Sequence, residues 1–151
     1  MLKIVATIII PIATLALPAL LALFSFYAER RRERKNIETS LRTEMGRIRA
    51  LLVRRLIWLE KDGSHDLPLL PFETSLYDAQ VGKIGACDPS FTTVAVSFYG
   101  IVHFLNALQT TRAAYARADA LECYFNTYAK TVRRALLRYE DLRFVDVRVP
   151  H

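Results

Sequence analysis

The stretch IVATIIIPIATLALPALLALFSFYA, from Ile4 to Ala28, decides how the rest of the chain is read. It holds no charged residue, and its polar side chains are Thr7, Thr14, Ser25 and the hydroxyl of Tyr27. At a rise of about 1.5 Å per residue such a helix measures about 37 Å. The hydrocarbon core of a bilayer is about 30 Å thick, so the segment crosses it with some tilt. Its apolar run exceeds the roughly 7–15 residues of a signal-peptide core. Ala13, Ala16, Ala19 and Ala22 fall three apart, which leaves no A-x-A cleavage pattern. Residues 1–28 are therefore expected to be a retained transmembrane anchor.

Charge sets the expected orientation. Lys3 stands on one side of the segment, and Arg30, Arg31, Arg32, Arg34 and Lys35 crowd the other. Lysine and arginine near membrane ends stay cytoplasmic, and acidic residues count little in that rule. The N-terminus is expected outside and residues 29–151 inside. The same basic cluster can also meet anionic lipid headgroups, at about 1 kcal/mol per residue near the surface. Inside the membrane, Pro11 and Pro18 can bend the helix. The small residues Ala13, Ala16, Ala19, Ala22 and Ser25 offer close approach to another helix. A step of three drifts by about 60° on a 3.6-residue helix, so this seam winds around the helix rather than holding one face.

Beyond the anchor, a chain of 151 residues leaves one domain with a modest core. The net charge of +6 belongs partly to the basic cluster. The two cysteines, Cys87 and Cys123, have no metal-ligand spacing, and small buried side chains are their default role. Residues 29–61 form a basic juxtamembrane helix, with Leu41, Met45, Ile48, Leu52, Leu56 and Leu59 in an amphipathic stripe. Arg42 and Arg49 flank one border of the stripe, and Arg47 and Arg54 lie beyond the other. The stripe fits packing in a core better than lying flat on lipid, because two further apolar helices downstream need a partner.

Residues 62–141 supply the rest of the bundle. DGSHDLPLLPFE, 62–73, breaks the helix, with its leucines and Phe72 covering one end of the core. A short helix follows, capped by Thr74 or Ser75 and ended at Gly82 or Gly85. Asp88-Pro89 is an N-cap followed by proline at the first helical position. The helix it starts runs to about Leu108 with Val94, Phe98, Ile101, Val102, Leu105 and Leu108 inward, and, being apolar almost all round, it is expected to be the central buried helix. From about Thr111 to Glu140 a last helix repeats Ala114, Ala118, Leu121, Phe125, Tyr128, Val132, Ala135 and Tyr139, a seam for bundle packing or for self-association. The extension 142–151 alternates Val145, Val147 and Val149 with charges, a strand signature.

The segment TSLYDAQVGKIGACDPSFTTVAVSFYGIVHFLNAL, residues 74–108, resembles small single-pass membrane proteins of bacteria. The resemblance rests on Tyr77, Asp78, Ala79, Lys83, Ile84, Gly85, Asp88, Pro89, Phe98 and Tyr99. It implies a bacterial inner (cytoplasmic) membrane and the same architecture, and it brings no activity with it.

Motifs for chemistry are missing from the sequence. His65, His103 and His151 have no histidine, cysteine or carboxylate at a metal-ligand spacing, so no metal or cofactor is expected. Asp78 beside Tyr77 is read as a cap or a tyrosine partner. Cys87 precedes a helix N-terminus but has no nominated base. No Walker loop, GxGxxG, HExxH or GxSxG occurs. Lys130, Arg133, Arg134 and Arg138, with the arginines of the first helix, could meet phosphates. Without interleaved aromatic residues, nucleic acid is not the expected partner. The chain thus reads as an all-α protein: an N-terminal transmembrane helix running into a small cytoplasmic bundle of about three main helices and one short one. Its expected role is interaction rather than catalysis, as an accessory or scaffold subunit of a larger membrane assembly. The alternative is a membrane-tethered regulator or immunity-type protein that binds a soluble partner.

Overall fold

The computed structural model describes the backbone of residues 2–61, 70–111 and 118–145, and the side chains of residues 16–61, 70–111 and 121–142. The described residues are helical throughout, apart from short connections: α1 (Leu2–Lys61), α2 (Ser75–Gln80), a 3-10 turn (Ile84–Ala86), α3 (Pro89–Thr111) and α4 (Ala118–Val145). The chain divides into two compact units, Met1–Asn36 and Ile37–His151.

In the first unit every described side chain from Ala16 to Asn36 is exposed. Leu17 is 64% and Phe24 71% accessible, so these large apolar groups have no partner surface within their own unit.

In the second unit the amphipathic stripes decide the packing. Leu41, Met45, Ile48 and Leu52 of α1 are buried, joined by Ile37 one turn earlier, while Leu56 and Leu59 pack at the edge. Core packing of this stripe is thus what the structure shows. From α3 come Phe91, Ala95, Phe98, Tyr99, Val102 and Leu105, and from α4 Tyr124, Tyr128, Val132, Ala135 and Leu142. Burying each large side chain of this set contributes about 1.5–3 kcal/mol. Helix directions follow from long side chains that bridge them. Tyr99 of α3 reaches Glu44 of α1, and Gln109 of α3 meets Arg55 of α1 on the Tyr128 hydroxyl, so α3 runs parallel to this part of α1. Tyr139 lies beside Gly46 and Tyr128 beside Arg55, so α4 runs antiparallel.

Local chemistry starts α3. The Asp88 carboxylate accepts the N–H groups of Ser90 at 2.9 Å and Phe91 at 3.2 Å, and Pro89 occupies the first helical position, where no donor is needed. The Asp88 N–H is itself taken by Glu38 of α1 at 3.1 Å. Asn106 grips the chain before α2 from both sides: its side chain accepts the Phe72 N–H at 2.7 Å and donates to the Phe72 carbonyl at 2.9 Å.

Several expectations are met only in part or need correction. Among the described residues the helix long and apolar enough to cross a membrane is Pro89–Thr111, not one at the N-terminus. A core helix passes the same test of length and composition, and α3 supplies six of the buried core side chains. Residues 1–15 lie outside the described side chains. Nor is α3 buried all round: Val96 (45%) and Phe104 (51%) are exposed, because α1 and α4 cover only one side of it. Leu70 does not cover the core and is 71% accessible, whereas Phe72 is buried. The last helix continues through Val145, so residues 142–145 are helical instead of extended, with Leu142 completing the core. Of the seam on α4, Tyr128, Val132 and Ala135 are buried and Leu121, Phe125 and Tyr139 lie at its edge. Ala114, Ala118, Leu67, Leu69 and the tail from Asp146 lie outside the described side chains.

Replacing Asp88 with alanine should lower the unfolding free energy by about 1 kcal/mol, with Asn in its place losing much less. Denaturant titration of the two variants, followed by far-ultraviolet circular dichroism, checks the order.

Candidate functional site

Arg30, Arg31, Arg32, Arg34 and Lys35 are all exposed on α1. The Arg30 guanidinium lies 4.6 Å from the centroid of the Phe26 ring, a cation–π contact at the junction of apolar and basic sequence. Ala16, Ala19, Ala22 and Ser25 are exposed as well, and Ala13 lies outside the described side chains. The Ser25 hydroxyl donates to the Ala22 carbonyl at 2.8 Å, which satisfies it within its own helix.

The most constrained polar group lies in the second unit. Glu44 is 5% accessible and sits on the inner face of α1 between Leu41 and Ile48. Its Oε1 accepts the Leu76 N–H at 2.9 Å, and its Oε2 accepts the Tyr77 N–H at 3.1 Å and the Tyr99 hydroxyl at 2.6 Å. The first two donors are orphan N–H groups of α2, so α1 supplies the cap of that short helix. Thr74, at the N-cap position itself, makes no such bond; its hydroxyl goes to Asp78 at 2.8 Å. The Tyr77 and Tyr99 rings stack with centroids 4.0 Å apart. Burial, then the Glu44 carboxylate, pushes the Tyr99 phenol far above the ordinary tyrosine range, and burial followed by the charge of Asp78 raises Tyr77. The phenol of Tyr99 therefore stays protonated and donating. Convergence of three donors on one buried carboxylate makes a tie between α1, α2 and α3.

A second tie lies further along α1. Arg55 donates to the Tyr128 hydroxyl at 2.7 Å and to the Leu70 carbonyl, and its guanidinium stacks 4.0 Å from the Phe72 ring centroid. Gln109 donates to the same hydroxyl at 3.1 Å. Burial raises the Tyr128 phenol, and Arg55 works against that rise.

Arg42 stacks on Phe91 at 5.0 Å and Arg49 on Tyr139 at 5.4 Å. Of the basic residues on α4, Arg133 pairs with Glu60 at 2.9 Å and Arg138 with Asp141 at 3.1 Å, while Lys130 and Arg134 are exposed. His103 approaches Asp78 at 3.4 Å on the surface, so Asp78 meets Thr74 and His103 instead of the hydroxyl of Tyr77. Cys87 is buried, but Cys123 is exposed, because position 123 falls across α4 from its inner face. His65 and His151 lie outside the described residues. Among the described residues no group of His, Cys, Asp and Glu gathers as a metal site.

The sequence reading missed Glu44 and Arg55. Glu44 carried a signal. Glu44 is a charge within the apolar stripe, three residues after Leu41 and four before Ile48, and such a position demands donors.

Glu44→Ala removes the acceptor from three donors, two of them buried, and should destabilise the chain by about 3 kcal/mol or more. Tyr99→Phe should cost about 1–3 kcal/mol, and a double-mutant cycle between the two should show coupling. Above pH 10 an unfolded tyrosine loses its proton while buried Tyr99 and Tyr128 keep theirs. Stability should then fall with rising pH by up to about 1.4 kcal/mol per pH unit for each. Denaturant midpoints measured in alkaline buffers should show a shallower fall for Tyr99→Phe than for the parent.

No protein-family model, curated protein or solved structure matches this chain.

Proposed function

We propose that the chain is a single-pass protein of a bacterial inner membrane, anchored through residues 1–28 with its N-terminus outside and its helical bundle in the cytoplasm. In this reading it serves as an accessory or scaffold subunit of a larger membrane assembly. The observation that carries the reading is the first unit of the chain. Leu17, Leu20, Leu21, Leu23, Phe24, Phe26 and Tyr27 are all exposed there, and five exposed cations follow within a few residues. Water does not tolerate so continuous an apolar girdle on a helix, and lipid removes it from water. The cations then mark the cytoplasmic face. Exposed Ala16, Ala19, Ala22 and Ser25 leave room for a neighbouring helix in the bilayer.

The bundle has its own tied core and long uncovered helix faces, which suits it to presenting surface. A tethered regulator that binds one soluble partner uses the same parts differently, since its bundle binds without the anchor.

Extraction in mild detergent followed by native mass analysis tests the proposal. A particle larger than the chain, holding at least one other membrane protein, is expected; a strictly monomeric chain overturns it. Deleting residues 1–28 should abolish incorporation. Partner binding that survives the deletion favours the tethered regulator.

A further inference from the structure

We propose that the uncovered face of α1 within the bundle is a docking groove for an acidic amphipathic helix of a partner protein. This deepens the interaction reading above and rests on it. On a helix of 3.6 residues per turn, Thr43, Arg47, Leu51, Arg54, Ile57 and Lys61 fall within an arc of about 120°. All six are exposed. Leu51 is 43% and Ile57 48% accessible, on a helix whose other side is buried to completion at Leu41, Met45 and Leu52. Beside Leu51 the surface opens into a cleft of about 340 Å³ lined by Ile48, Leu51, Leu76, Arg47, Ser75 and the carboxylates of Glu73 and Glu44, the latter already holding three donors of the bundle. That is the small end of the range of about 300–1,000 Å³ in which proteins seat ligands, with room for one or two apolar side chains.

The arginines of α1 identify the occupant. Arg42, Arg49 and Arg55 are spent on the protein's own rings, over Phe91, Tyr139 and Phe72. Arg47 and Arg54 stand one turn before and after Leu51, fully on the surface, and no ion pair or ring contact engages them among the described residues. An aliphatic anchor between two free cations is the complement of a helix that carries a leucine or phenylalanine with carboxylates a turn away on either side. An anionic bilayer is a poorer fit, because the site is concave.

The test uses the full chain in nanodiscs of neutral phosphatidylcholine and two synthetic amphipathic peptides, one patterned with leucine and glutamate and one with leucine and lysine. Fluorescence anisotropy should show the glutamate peptide binding about tenfold tighter than the lysine peptide. Leu51→Asp should weaken the glutamate peptide about tenfold, and the pair Arg47→Glu and Arg54→Glu should reverse the preference. Circular dichroism confirms that these surface variants fold. Equal binding of the two peptides overturns the groove, as does indifference of the glutamate peptide to the substitutions. Displacement of the peptide by phosphatidylglycerol vesicles shows a lipid-facing surface and overturns it too. In cells, a co-extracted protein that stays with Leu51→Asp overturns the groove and leaves the assembly intact. Extraction as a bare monomer fails the assembly reading, independently of the peptide result.

Discussion

Glu44 accepts hydrogen bonds from residues 32, 33 and 55 positions away in the chain, and it does so from inside the bundle. A carboxylate in such a place is costly unless its lone pairs are met, so the fold is constrained to deliver Leu76, Tyr77 and Tyr99 to it together. Delivering them orients α2 across α1, stacks Tyr77 on Tyr99, and sets the height of α3 beside α1. The apolar stripes alone would permit sliding by a turn, since leucine packs against phenylalanine in many registers. A slid register would strand the carboxylate, and that penalty selects one alignment. The Arg55 tie does the same at the other end of α1, where it holds Tyr128 of α4 and the chain around Leu70 at once.

Arginine has two separate uses along α1. On the flank next to α3 and α4, Arg42 and Arg49 lay guanidinium planes over Phe91 and Tyr139, which shields ring faces while the charge stays in water. On the outer flank Arg47 and Arg54 stay exposed. Position on the helix decides which use applies. The cluster at residues 30–35 is a third case, where exposure on all sides suits contact with a charged interface.

The membrane reading and the bundle reading obey one rule about apolar surface. In Ile37–Lys61 most apolar residues gather on one side, which α3 and α4 cover, while Leu51 and Ile57 stay exposed on the other. In the described part of the first unit they surround the helix, and no protein surface in that unit covers them. α3 lies between these cases: its composition alone would allow a membrane span, yet its Phe91, Phe98 and Tyr99 are packed against polypeptide.

Much of this was legible before any coordinates. The 4-and-3 spacing of Leu41, Met45, Ile48 and Leu52 named the buried face of α1, and Asp88-Pro89 named the start of α3, because helix periodicity and capping act within a few residues. The long-range ties were not legible. Nothing local says that Glu44 will cap a helix on the far side of a loop, that Asn106 will grip Phe72, or that position 99 and position 44 share a hydrogen bond. Local spacing by itself determined which segments are helices and which sides of them are greasy. Which greasy side meets which, in what register, and which charges are consumed inside the bundle were decided by the tertiary structure, because those choices depend on satisfying buried polar groups across distant parts of the chain.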